Sequence, residues 1–157
     1  MFIASARHGL AALCALALLA GCSLPLDPPT AMPHATPITP NDASKIEIVF
    51  EISGGIGGVE QSWIIRGDGS VQDQAGKTYA VPAIEVAQLL SEVTAAGFFD
   101  LAAAYEDIAC ADCFAYSISV NDGQRIKRVR MLDGGQLPEQ AQQVIRLLRA
   151  FVSAFAP

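Results

Sequence analysis

Histidine is almost missing from this chain. Its 157 residues hold two, His8 and His34, and both precede residue 44. Everything beyond that point therefore lacks the base for a Ser-His or Cys-His dyad within one chain. Basic charge is also scarce. Ten Lys and Arg face sixteen Asp and Glu, for a net charge of -6. An acidic surface repels phosphate backbones, which argues against nucleic acid as a partner. Long apolar runs are missing too. Leu10–Ala20 is unbroken for eleven residues, whereas a membrane-spanning helix needs about 20. Cysteine occurs four times, as Cys14, Cys22, Cys110 and Cys113. No second Cys or His pair supports Cys110 and Cys113 as a four-ligand zinc site.

What is present begins with a targeting segment. Arg7 supplies a positive start, and Leu10–Ala20 has the length of a signal-peptide core. The run ends in Leu19-Ala20-Gly21-Cys22, which resembles a bacterial lipobox. Small residues let a peptidase approach the backbone, and the thiol accepts a diacylglyceryl group. The resemblance implies cleavage between Gly21 and Cys22 and lipidation of Cys22. Two or three acyl chains give stable anchoring, at roughly 0.8 kcal/mol per buried methylene. Cys14 leaves with the signal segment. Residue 23 is Ser rather than Asp, which favours the outer membrane in a Gram-negative cell; otherwise the outer face of the cell membrane is expected. The alternative reading is an ordinary secretory signal with a chance cysteine at its end. Counting from Cys22 removes Arg7 and no acid, so the balance becomes 9 against 16, or -7.

Residues 23–43 carry six of the nine prolines: Pro25, Pro28, Pro29, Pro33, Pro37 and Pro40. Such a stretch lacks amide donors and reads as an extended, semi-rigid tether. His34 lies there and reads as a solvated linker residue.

Residues 44–157 read as one α+β domain. Ile46, Ile48, Phe50 and Ile52 alternate with Glu47 and Glu51, as a half-buried strand does. Gly54-Gly55-Ile56-Gly57-Gly58 ends it. Val59–Arg66 is a second strand with the single tryptophan, Trp63, and Gly67-Asp68-Gly69 is a turn. A short third strand covers Ser70–Asp73 and resumes near Thr78–Val81. Pro82 suits the first turn of a helix whose stripe is Val86, Leu89, Leu90 and Val93, with Gly97 at its end. Phe98 and Phe99 then return to the core, and a loop runs through Tyr105–Asp112. Phe114–Val120 alternates, Asn121-Asp122-Gly123 turns, and Arg125–Leu132 returns. After Asp133-Gly134-Gly135, Pro138 opens a helix with the stripe Ala141, Val144, Ile145, Leu148, Val152 and Phe155. The order βββ-α-ββ-α predicts an antiparallel sheet of about five strands with both helices on one face.

Cys110-Ala111-Asp112-Cys113 admits three readings. A local disulfide fits an oxidising compartment. A thioredoxin-like redox pair wants the first cysteine at a helix N-terminus, whereas here a strand follows. Glu106, Asp107 and Asp112 would also raise a thiol pKa. A metal site would need further ligands, such as Asp112 or Glu106. The glycine segment Gly54–Gly58 joins two strands and has neither the helix nor the lysine of a phosphate loop. It reads as a flexible hairpin loop or as an exposed loop for binding a partner. Arg125, Lys127, Arg128 and Arg130 form a basic cluster. Its readings are a solvated strand face, pairing with Glu47 or Glu51, or contact with anionic lipid or envelope polymer. No cofactor is expected, and no spacing singles out a catalytic carboxylate pair.

Two segments together carry a family resemblance. One is the early strand ending in Gly54-Gly55-Ile56-Gly57-Gly58 and followed by Trp63. The other is Asp112-Cys113-Phe114-Ala115-Tyr116-Ser117-Ile118-Ser119-Val120, followed by a Gly turn, a basic strand, Leu137-Pro138 and a terminal helix. This layout resembles emfourin-like proteins, small bacterial inhibitors of thermolysin-type metalloproteases, over nearly all of residues 44–156. The cysteine pair and the lipobox depart from that pattern. The resemblance implies a non-catalytic module that inhibits a protease. A structural or assembly lipoprotein of the cell envelope is the alternative, and a CxxC redox protein trails both.

Overall fold

A computed structural model describes residues 45–106 and 109–155. The signal segment, Gly21, Cys22, the Pro-rich stretch, Asp107 and the last two residues lie outside the described residues.

The described residues build an α+β fold. Its strands are β1 (Ile46–Gly54), β2 (Val59–Arg66), β3 (Ser70–Asp73), β4 (Thr78–Ala80), β5 (Ala104–Tyr105), β6 (Phe114–Asp122) and β7 (Ile126–Leu132). The helices are α1 (Ala83–Ala95) and α2 (Glu139–Val152), with a 3-10 turn at Phe98–Asp100. One sheet holds all seven strands in the order β4-β3-β2-β1-β6-β7-β5.

The sheet is thus larger than five strands and is mixed rather than purely antiparallel. Two local events account for this. Asp73 accepts from the Ala75 and Lys77 amides through Oδ1, both at 2.9 Å, and so splits the third strand into a β3–β4 hairpin. Tyr105, read as the start of a loop, instead forms a short strand with Ala104, and the two pair parallel to Met131 and Arg130. Neither short segment is long enough to carry a period-two signal of its own.

The long strands follow their pattern. Cross-strand partners stack Ile48 with Ile65 and Val120, and Phe50 with Trp63 and Ile118. These side chains are buried together with Val129 and Met131 of β7. The helices cover that face with the stripes expected of them, except that Phe155 lies beyond the end of α2 and is only partly buried against the core. Phe98 is fully buried there, and Phe99 packs against it edge-on. Pro82 and Pro138 stand just ahead of the two helices, where a missing amide costs nothing. Gly97 follows α1 with φ +84° and hands its amide to the Thr94 carbonyl. Among the described residues no helix is long and apolar enough to cross a membrane.

The basic cluster does not act as one patch. Alternation along β7 places Arg128 and Arg130 on one face and Lys127 on the other. Lys127 Nζ donates to the Phe99 carbonyl at 2.8 Å and also to the Leu101 carbonyl, tying down the 3-10 turn. Arg125 stacks on the Phe99 ring and pairs with Asp122 at 2.9 Å. Arg130 pairs with Glu106 at 3.1 Å. Neither Glu47 nor Glu51 meets these cations, because β6 separates β1 from β7. Glu47 lies near Arg66 instead.

Asp122 fastens the β6–β7 turn. Its Oδ1 accepts from the Gln124 and Arg125 amides, both at 2.9 Å, and Oδ2 accepts from Arg125 Nε. Burial pushes its carboxyl pKa up, but the Arg125 side chain and the two amides outweigh burial and leave it below the usual value. A depressed carboxylate stabilises the fold above its unfolded pKa, and that stability fades as pH falls through the folded value. Asp122→Asn should therefore cost about 1 kcal/mol at neutral pH. Urea unfolding at a series of pH values should show the gap closing as pH falls from the ordinary aspartate value, about 3.9, through the lower folded one.

Candidate functional site

The two motifs that stand out in the sequence meet at one end of the sheet. β1 ends at Gly54, β2 begins at Val59 and β6 begins at Phe114, and Gly54 is paired with both neighbours. The ladder continues one step further, where the Gly55 amide donates to the Cys113 carbonyl at 3.1 Å. The glycine hairpin is thus held to the cysteine loop by backbone.

Glycine is required here for space as well as for conformation. Gly54 has φ +100°, and a Cβ on it would overlap the Cys113 carbonyl oxygen. Gly55 has φ +71°, and its Cβ would lie 2.8 Å from the Phe114 ring. The Phe114 ring therefore packs against the hairpin at Gly55. Beyond that contact the loop is open: Gly58 N–H bonds to the Gly55 carbonyl at 3.0 Å, and Ile56 projects at the tip. Ile56 is 91% exposed, the most exposed large apolar side chain among the described residues.

Cys110 and Cys113 stand at disulfide distance, with Cα atoms 5.6 Å apart. They close a four-residue loop, which stabilises by roughly 2 kcal/mol at most. Residues 109–113 carry no helix. Among the described residues no group of three or more His, Cys, Asp or Glu side chains could hold a metal. The third element of the rim is the β7–α2 loop. The Asp133 amide donates to the Phe114 carbonyl and Asp133 Oδ1 accepts the Phe114 amide, both at 3.0 Å. Phe114 is fixed from both sides.

The result is a rim of three loops joined by backbone hydrogen bonds, with one apolar tip. Its one large exposed apolar side chain is Ile56. Sequence reading identified the glycine loop and the cysteine loop but not their contact. It also gave no role to Asp133. That residue belongs to an Asp-Gly-Gly turn, and nothing local says that its carboxylate caps a strand nineteen positions away.

No known family model matches this chain, and no curated protein matches it.

Proposed function

We propose that this chain is an exported bacterial envelope protein, anchored through lipid on Cys22, whose α+β domain is a non-catalytic binding module. The rim supports the binding half of this reading: Ile56 stands almost wholly in water on a hairpin that backbone contacts hold in place. An exposed apolar side chain on a fixed loop stabilises nothing in its own fold, and it is well placed to enter a partner's pocket. The lipobox-like Leu19-Ala20-Gly21-Cys22 and the Pro-rich stretch after it support the anchor.

The partner that the emfourin-like layout suggests is a thermolysin-type metalloprotease. The domain from Ser44 should inhibit such a protease at micromolar concentration without being consumed. Ile56→Asp should weaken inhibition at least tenfold, about 1.4 kcal/mol, and leave the unfolding midpoint unchanged. Wild-type domain without inhibition would remove the protease as partner. The anchor has its own test. Cys22→Ala should leave an unprocessed precursor, seen as a larger band on a gel. Mature-sized protein extracted with the membrane from that variant would defeat the lipid anchor.

A further inference from the structure

Both helices pack on one face of the sheet, and the other face is open. Alternation puts Glu51 of β1, Ser117 and Ser119 of β6, and Arg128 and Arg130 of β7 on that open face. The register lines them up in rows across the strands. One row runs Val49, Ser119, Arg128, and the next runs Glu51, Ser117, Arg130. Glu51, Arg128 and Arg130 are exposed there, and so is Ile126, at 72%. An open face is ordinary for a sheet packed on one side. Here its charges are sorted: β1 carries acid, β7 carries base, and the small side chains of β6 lie between.

The charges inside one copy do not all find partners. Glu47 meets Arg66 and Arg130 meets Glu106, but Glu51 and Arg128 have no ion-pair partner among the described residues. They cannot meet each other, because β6 separates their strands. A two-fold axis running along β6, between two such faces, sets β1 of one copy over β7 of the other. Strand directions then agree, as stacked sheets require within about 30°. Arg130 stands over Glu51 of the second copy. Arg128 stands over its Val49, two residues or about 7 Å along the strand from that Glu51. Each contact occurs twice. An axis across the strands would instead lay β1 on β1 and bring Glu47 and Glu51 against their own kind.

We infer that the open face of the sheet docks on the open face of a second copy of this chain, as a two-fold dimer with its axis along β6. The face carries both halves of its own charge match, so the chain itself is the partner that fits. The small Ser117 and Ser119 side chains lie under the axis, where two sheets about 10 Å apart must interdigitate. Contact also takes Ile126 and the half-buried Val49 out of water. The charges fix the orientation of the two copies more than they add affinity. This surface is distinct from the Ile56 tip, and the dimer stands or falls independently of any partner at the rim.

The test uses the full chain in mild detergent, carrying Ser119→Cys, and a short bismaleimide crosslinker. Residue 119 lies under the axis and should reach its own twin. Crosslinked dimer on a denaturing gel should exceed that from Ser91→Cys, on the exposed side of α1, at least fivefold. Added to Ser119→Cys, either Glu51→Arg or Arg128→Glu should cut the dimer at least fivefold, since each change acts twice by symmetry. Mixing the two charge variants should raise it again at least threefold, because each then meets the other's reversed charge. Far-UV circular dichroism checks that both keep the fold. Dimer from Ser119→Cys no greater than from Ser91→Cys, dimer unchanged by either charge variant, or no recovery on mixing folded variants would each overturn the two-fold face.

Discussion

Gly54→Val should lower the stability of the domain by about 3 kcal/mol, the sum of two separate costs. The first is conformational. At φ +100° an L-residue is strained, and a β-branched one more so. The second is steric, because the new Cβ would overlap the Cys113 carbonyl oxygen. That oxygen cannot retreat easily, since it accepts the Gly55 amide and lies next to residue 114, which is clamped by Asp133. Urea unfolding followed by Trp63 fluorescence would measure the loss as a lower midpoint at unchanged slope. Gly58→Ala is the internal control. It has positive φ but open space around it, so only the conformational cost of about 1 kcal/mol should appear. Equal costs at the two positions would mean that contact with the cysteine loop contributes nothing.

Phe50→Ala should be more damaging still, at about 3–5 kcal/mol. Phe50 is fully buried in the central strand, between Trp63 at 5.8 Å and Tyr116 at 6.4 Å between ring centres. Its removal leaves a cavity that β1, paired on both sides, cannot close by shifting. A loss of this size is a large share of the total stability of an ordinary domain, about 5–15 kcal/mol. Because Trp63 is the single tryptophan, its native emission should also move to longer wavelength as water or motion reaches the cavity. A cost below about 1 kcal/mol would show that the aromatic stack is not the centre of the core.

The core was legible because its signal is local. Ile46 to Ile52 state their face by alternation, and Val86 to Val93 state theirs by helical spacing. Gly97, Pro82 and Pro138 mark boundaries through their own backbone limits. The short strands were not legible in this way. Ala104 and Tyr105 become a strand because Arg130 and Met131 lie beside them. The basic cluster misled for a related reason. Four cations within six positions look like one surface, but a strand sends neighbours to opposite faces. Their partners, Phe99, Leu101, Glu106 and Asp122, are set by the fold.

The sequence by itself determined where the long strands and the two helices form, which of their side chains enter the core, and the lipobox-like motif on which the proposed anchor at Cys22 rests. These depend on periods, caps and short motifs within a few residues. Tertiary structure alone decided that the glycine hairpin rests on the cysteine loop and that Asp133 clamps Phe114. Each of these is a contact between segments far apart in the chain. Strand order and loop packing set such contacts, and neither has a local pattern.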